Sequence, residues 1–331
     1  MTTVRKRNIA LRVSALLLGF ATVTAVALGG CGDGKETRVV RMGYLRSDLH
    51  QLAYYVAREK GFFAEEGLDV REAGAFNAGP EEMSAFSAGE LDMGYVGTAP
   101  AVTFTGRDMA RVRVMAQANQ EGSAVVVRNG LEAEDVTALK GRTVAVPGYT
   151  TVQDFLLRLA LEEEKLEPGD VNTITLKPPE MISALSSSQV DAFVAWEPYP
   201  SQAVQQKAGR VLLYSGKIWP RHPCCMLVAD EGFLERAPDT VRRVVAAHVK
   251  ATRYINENPA EAVDMARLFT GQGIDVVGNA MKHIEFSYRP DLGAIERYVE
   301  FLNASGVIRV DSPRAFTDEF VDARFLPGGN K

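Results

Sequence analysis

Four stretches of this 331-residue chain carry side chains able to hold or transform a ligand. Ser47-Asp48 and Thr150-Thr151 stand where amphipathic patterns begin, with Gln51 three residues after Asp48 and Gln153 three after Thr150. Hydroxyls and carboxylates at such points accept from the first free amides of a helix. Those amides and the positive dipole end favour an anion without any formal positive charge. Trp196-Glu197-Pro198 ends an apolar run and sets a flat ring beside a carboxylate. His222-Pro223-Cys224-Cys225 joins an imidazole to two thiols, donors suited to a soft metal ion or, beside a base, to a nucleophile.

Each stretch also has a plainer reading. Ser47, Asp48, Thr150 and Thr151 can serve as helix caps alone, and Trp196 can belong to the core. Arg46 reads as a solvated surface charge before it reads as an anion clamp. His222-Pro223-Cys224-Cys225 reads first as a turn entering a strand, with cysteine as a small buried apolar residue. The other histidines, His50, His248 and His283, have no ligand spacing to it, so neither a metal site nor a catalytic residue is assigned. Asp48 and Glu197 would repel a pure anion and point to an amine or hydroxyl on the ligand. A phosphate loop, a dinucleotide glycine triplet and a hydrolase elbow are all missing from the sequence, so enzyme motifs are lacking and no cofactor is implied.

What must position these stretches is a repeat. Residues 83–94 and residues 182–193 align without gaps at a constant offset of 99. Each copy predicts a short helix, a tight turn at Asp92 or Asp191 and a buried strand. A repeat of this length points to two similar lobes, not to a solenoid. Ahead of the first copy, residues 39–44 read as a strand and Leu52, Tyr55 and Val56 as one helical face ending at Gly61. Phe62, Phe63, Leu68 and Val70 read as the return into a second strand. Ahead of the second copy, residues 143–146 read as a strand, and Val152, Phe155, Leu156, Leu159 and Ala160 share a helical face. Residues 171–176 read as a strand.

Strand–helix–strand–helix–strand in each lobe predicts an α/β fold with right-handed crossovers and mainly parallel sheets flanked by helices. Residues 112–116, 124–128 and 225–229 are candidates for crossing strands between the lobes. From Asp239 the pattern is helical, over 241–249, 260–269, 277–284 and 292–303, and these helices are expected on the first lobe. Open parallel sheets bind ligands beyond the carboxyl ends of their strands. That rule gathers Arg46, Ser47, Asp48, Leu49, Asn77, Thr98 and Ala99 from the first lobe around one cleft. Tyr149, Thr150, Thr151, Trp196 and Glu197 join them from the second, with Gln120, His222 and Cys224 on the connecting segments.

Bulk properties fit this picture. A chain 46% hydrophobic and 24% charged is ordinary for about two domains. The net charge of −5, with no basic face, argues against a nucleic-acid partner. Three cysteines cannot build a disulfide framework. At the N-terminus Arg5, Lys6 and Arg7 precede an apolar run over residues 11–28, the pattern of a secretory signal. The run ends in Leu28-Gly29-Gly30-Cys31, which resembles the lipobox of bacterial lipoproteins; the resemblance implies acylation at Cys31 and membrane anchoring through buried methylenes.

Longer stretches resemble the periplasmic binding proteins of the nitrate/sulfonate/taurine/bicarbonate group of ABC transporters. The resemblance is carried by Gly43-Tyr44, by Ala57-Arg58-Glu59-Lys60-Gly61-Phe62-Phe63 and by Glu66-Gly67-Leu68-Asp69-Val70. Gly89-Glu90-Leu91-Asp92-Met93-Gly94, residues 141–147 and residues 191–198 carry the remainder. It implies a two-lobed class II (venus flytrap) fold with two crossing segments, and ligand contacts at Ser47, Asp48, Thr98, Thr150, Thr151 and Trp196. The implied organisation is a signal peptide over 1–30, a lipidated tether over 31–37, lobe one over 38–122 plus 226–326, lobe two over 123–225 and a tail over 327–331. The implied role is capture of a small anionic or zwitterionic solute, such as a sulfonate, taurine or nitrate, by a monomer outside the cytoplasm. Delivery would be to an ABC permease with its ATPase subunits. Two other readings stay open: a pyrimidine binder or related cysteine-using enzyme, and a ligand sensor for a signalling receptor.

Overall fold

The two repeat copies fold alike, as seen in a computed structural model that describes residues 38–328. The described residues begin with β1 (Arg38–Leu45), α1 (Leu52–Glu59), α2 (Phe62–Glu65), β2 (Leu68–Phe76), α3 (Gly79–Ser87), β3 (Met93–Gly97) and α4 (Thr98–Gly106). After β4 (Val112–Gln117), β5 (Asn119–Glu121) and β6 (Ser123–Arg128) come β7 (Thr143–Val146), α5 (Val152–Glu163), β8 (Asn172–Thr175), α6 (Pro178–Ser186) and β9 (Ala192–Trp196). The offset of 99 carries α3 onto α6 and β3 onto β9 at both ends of each element. Asp92 and Asp191 do equivalent work: each accepts from a backbone amide of the preceding parallel strand, Arg41 at 2.9 Å and Thr143 at 3.1 Å. Each also takes a guanidinium, from Arg41 and Arg128 respectively. The amides they satisfy thus lie across the sheet and not in their own turns.

Two five-stranded sheets result. The first has the order β2-β1-β3-β11-β4, where β11 is Cys225–Asp230. In it β1 runs parallel to β2 and β3, while β11 is antiparallel to β3 and β4. The second has the order β10-β6-β9-β7-β8, where β10 is Gly209–Tyr214. There β7 is parallel to β8 and β9, and β6 is antiparallel to β9 and β10. The chain passes between the sheets twice, through β5 and through the stretch from α8 (Ser215–Ile218) to Cys224. The runs over 112–116, 124–128 and 225–229 are therefore not crossing strands: β4 and β11 belong to the first sheet and β6 to the second, and the crossings lie at β5 and just before β11.

Between β9 and β10 lies α7 (Tyr199–Gln205), and after β11 come α9 (Glu231–Arg236), α10 (Pro238–Glu257), α11 (Pro259–Thr270) and α12 (Ile274–Ala280). A short strand, β12 (Ile284–Phe286), pairs with β5, and α13 (Leu292–Ala304) and α14 (Pro313–Phe320) complete the chain. Within α10, Val241, Val244, Val245, Ala247, His248, Val249 and Ala251 are buried, as helical periodicity requires. Its neighbours α1 and α2 belong to the first half. Phe155 of α5 meets Tyr298 and Phe301 of α13 at ring-centroid distances of 4.4 and 4.5 Å. That aromatic seam ties the second sheet's first helix to a C-terminal one.

Three local expectations are corrected. Phe62 and Phe63 form the buried side of a helical turn, not the start of a strand, because Gly61 at φ +74 closes α1 and lets α2 begin at once. Ile284 enters a strand paired with β5, and helix ends at Met281–His283. Thr151, not Thr150, caps α5, accepting from Asp154 N–H at 3.3 Å; Thr150 sits one residue earlier at φ +65 and donates its N–H to Asp154 Oδ2 at 2.9 Å. Among the described residues no helix is long and apolar enough to cross a membrane. The expected signal segment, tether and Cys31 lie outside the described residues.

Candidate functional site

The carboxyl end of β1 turns at Ser47 into a single 3-10 turn over Leu49–Gln51 capped by Asp48. Asp48 Oδ1 accepts the His50 backbone N–H at 2.9 Å, and its Oδ2 accepts from Gln51 Nε2 at 3.3 Å. His50 Nε2 stands 2.9 Å from the Gly122 carbonyl oxygen on the crossing segment. A carbonyl only accepts, so Nε2 carries the proton of this contact and Nδ1 faces the opposite way. Nδ1 lies 3.3 Å from Cys224 Sγ, 3.9 Å from Cys225 Sγ and 3.4 Å from Asp48 Oδ1. Cys225 Sγ is 3.8 Å from Asp48 Oδ2.

The backbone holds the two cysteines in place. Cys225 N–H donates to Asn119 Oδ1 at 3.0 Å, and the Cys224 carbonyl accepts from Thr98 N–H at 2.8 Å and Thr98 Oγ1 at 3.1 Å. Ligand atoms of His50, Cys224 and Cys225 all lie within 4.8 Å of one another, so these three side chains could hold a metal ion.

This cluster forms one wall of a small cavity between the sheets, about 10 Å³ in volume and big enough for about one water. First-half residues Leu45, Asp48, His50, Gly79, Gly97 and Pro100 line it with Cys224 and Cys225; Thr151, Val152, Gln153 and Trp196 close it from the second. The starts of α3 and α5 therefore both reach it. The indole N–H of Trp196 is buried without a hydrogen-bond partner. A wider depression of about 850 Å³ lies along Arg113, Glu231, Asp318 and Glu319. Arg113 there already pairs with Glu231 and Glu319, and the depression does not join the two sheets.

The structure brings Asp48, Thr151, Trp196 and Cys224 together at the cavity and places the other sequence candidates around it. Thr98 and Ala99 are buried behind Cys224, and Leu49 lies in the core. Glu197 is buried with Ser201 donating to both its oxygens. Ser47 and Thr150 are half-buried positive-φ turns, and Asn77 bonds Glu81. Gln120 and His222 are buried on the crossing segments, His222 Nδ1 facing the Trp219 carbonyl at 2.8 Å. Arg46 and Tyr149 are exposed and bond backbone carbonyls of Ala75 and Thr173. Sequence reasoning missed His50, Gln153 and Cys225. The spacing of Asp48 to His50 was visible, but its meeting with Cys224 spans 174 residues.

Burial dominates the electrostatics here. Burial pushes Asp48 and Glu197 each up to about 7, and burial with the nearby Asp48 raises Glu82 well above the carboxyl range. Glu82 is buried with neither carboxyl oxygen hydrogen-bonded. Burial resists ionisation of Cys224, but the Cys225 thiol and the facing His50 pull it well below the thiol range. Among the described residues lining the cavity, none is Lys or Arg.

His248 supplies a separate check on the fold beneath the site. It is buried, with Nδ1 2.9 Å from Tyr95 Oη and Nε2 2.8 Å from the Gln117 carbonyl, and burial lowers it to about 4. The unfolded chain takes up this proton near 6.5 and the folded one only near 4, so His248 costs stability as pH falls through that window. From about pH 7 to about pH 5, wild type should lose about 2 kcal/mol more than His248→Gln. Asp48 and Glu197 carry the opposite sign, but they are common to both proteins and cancel. Urea titrations at the two pH values read the difference, and equal losses would contradict the assignment.

With this geometry in view, comparison with known proteins is informative. Residues 33–270 match the sequence profile of the NMT1-like family. A Bacillus subtilis protein provisionally named an aliphatic sulfonates-binding protein is 30% identical over 265 residues, covering 78% of each chain. The nitrate/nitrite binding protein NrtA of Nostoc is 24% identical over 279 residues, covering 76% of this chain and 62% of that one. Among solved structures, the alkanesulfonate-binding protein SsuA of Xanthomonas axonopodis pv. citri, bound to MOPS, superposes with a TM-score of 0.76 at 18% identity. That match covers 87% of this chain and 99% of SsuA. The periplasmic nitrate-binding protein NrtA of Synechocystis gives 0.77 at 18% identity, covering 88% and 87%. At these identities the structural likeness establishes the fold: a two-lobed periplasmic-binding-protein architecture.

Proposed function

The chain belongs to the NMT1-like family, and on that premise we propose that it is the extracytoplasmic solute-capturing component of an ABC importer. The observation that carries the reading is the cavity itself, built from the carboxyl edge of one sheet and closed by residues of the other. Such a site sequesters a ligand when the halves approach and releases it when they part. The relatives are binding proteins, and this chain is read as one of them, not as an enzyme. Their names make a small oxyanion the first solute class to test, with sulfonates, nitrate and bicarbonate as members. The starts of α3 and α5 at the cavity supply free amides for it.

Export through the N-terminal signal and acylation at Cys31 would keep the protein at the membrane beside its permease. A Cys31→Ser chain would then appear in the soluble fraction of its host; continued membrane association would count against the anchor. Lobe one would comprise 38–122 and 226–326, with lobe two over 123–225, and the capturing unit would be the monomer.

Thermal unfolding against alkanesulfonates, taurine, nitrate, bicarbonate and aminopyrimidines tests the capture reading. A true solute at about a hundredfold excess over its dissociation constant should add about 2.7 kcal/mol. Stabilisation by none of them would remove the oxyanion class, and stabilisation by the aminopyrimidines alone would favour a pyrimidine binder.

A further inference from the structure

We infer that the cleft is built to hold one thiophilic d10 metal ion, Zn(II) being the type, with Cys224, Cys225 and His50 as protein ligands. The inference rests on the capture reading of the same cavity and names a ligand class for it. Its basis is geometry. A tetrahedral zinc with sulfur at about 2.3 Å and nitrogen or oxygen at about 2.0–2.1 Å sets its N-to-S edges near ~3.5 Å and its N-to-O edge near ~3.3 Å. The corresponding separations are 3.3 and 3.9 Å from His50 Nδ1 to the two sulfurs and 3.4 Å from Nδ1 to Asp48 Oδ1. The other Asp48 oxygen, Oδ2, lies 3.8 Å from Cys225 Sγ, so the carboxylate borders the three donors. Three donors from two remote chain segments thus already stand near the corners of one coordination polyhedron, with the Asp48 carboxylate beside them.

The surrounding contacts are those such a site requires. A metal-bound histidine commonly gives its other ring N–H to a backbone carbonyl, which fixes the tautomer; His50 Nε2 does so with Gly122. Asp48 is oriented by the His50 backbone amide and the Gln51 side chain. Cys225 is fixed by Asn119, and Cys224 by Thr98. Two thiolates and an imidazole select zinc or copper(I) over calcium or magnesium. The described lining offers no Lys or Arg to repel a metal ion. Because Asp48, His50 and the cysteines all belong to the wall on the first sheet's side, Thr151, Gln153 and Trp196 act as the cover.

The test uses the full chain carrying Cys31→Ser, so that only two thiols remain. Equilibrium dialysis against Zn(II), followed by elemental analysis, should find one ion per chain. Co(II) should give thiolate-to-metal charge-transfer absorption, and excess Mg(II) or Ca(II) should displace neither. Cys224→Ser and Cys225→Ser should each weaken binding at least tenfold and remove part of the Co(II) band. Should either variant fail to fold, X-ray absorption on the zinc-loaded parent decides, with two sulfurs expected at about 2.3 Å. No stoichiometric metal, unchanged binding in both variants, or a zinc shell without sulfur would overturn the inference. Stabilisation by the oxyanion panel without any metal binding would sink this proposal and leave the capture reading standing. Sulfur-ligated zinc bound outside the cleft, with Trp196 emission unaffected, would overturn the placement.

Discussion

Replacing Gly122 by Ala is expected to destabilise the protein by roughly 2–5 kcal/mol and to dislodge His50 from the cleft. Gly122 lies at φ +84, and a Cβ built there would stand 2.2 Å from His50 Nε2 and 2.8 Å from Ile284 Cγ1. Two penalties add. A side chain in a left-handed conformation costs about 1–3 kcal/mol, and overpacking a buried contact costs about as much again. Gly61→Ala separates them, because Gly61 has φ +74 with nothing within 4 Å of the added carbon. Urea unfolding of the two variants should show the larger loss at 122. Equal losses would mean that the ring of His50 yields freely, and the carbonyl contact that orients it would lose its significance.

Phe155→Ala is expected to cost about 3–5 kcal/mol, with Phe155→Leu costing under ~1.5 kcal/mol. Phe155 is 2% exposed and sits among Tyr298, Phe301 and Trp219, whose ring centroids lie 4.4, 4.5 and 5.6 Å away. Truncation removes a full ring from a packed site and leaves a cavity that rigid aromatic neighbours fill poorly. Aromatic pairing adds roughly 0.5–1.5 kcal/mol to the loss beyond area alone. The same seam joins α5, whose start covers the cavity, to α13. Denaturant unfolding checks the magnitude. A loss below ~1 kcal/mol would show that the seam contributes little to holding the halves together.

Much of the fold was legible because the repeat is exact in register. Side-chain alternation and the Asp92 and Asp191 anchors recur at one offset, and both copies of helix and strand follow. Where local pattern and tertiary context disagree, sequence reading failed. Phe62 and Phe63 look like strand residues, yet the left-handed Gly61 commits them to a helical turn. Thr150 resembles a cap, but its own φ of +65, unusual for a β-branched residue, hands the role to Thr151. Helix α14 was passed over although Ser312-Pro313 is a cap followed by proline at the first helical position, and Phe316 and Phe320 share a face. At the site, post-strand logic reached Asp48, Thr151 and Trp196, because sheet topology alone places them. His50 remained hidden: its nearness to Asp48 in sequence assigns it no role, and its cysteine partners arrive only when β11 inserts beside β3.

On the function proposed, ligand binds in the cavity between the two sheets, against Trp196. The chain has two tryptophans, so Trp219→Phe leaves Trp196 as the sole reporter. Its emission should be recorded while the solutes of the thermal panel and Zn(II) are titrated. Whichever ligand stabilises the protein should also change Trp196 emission, with the same saturation curve. Stabilisation with emission unchanged would place the ligand elsewhere and overturn the assignment of the cavity.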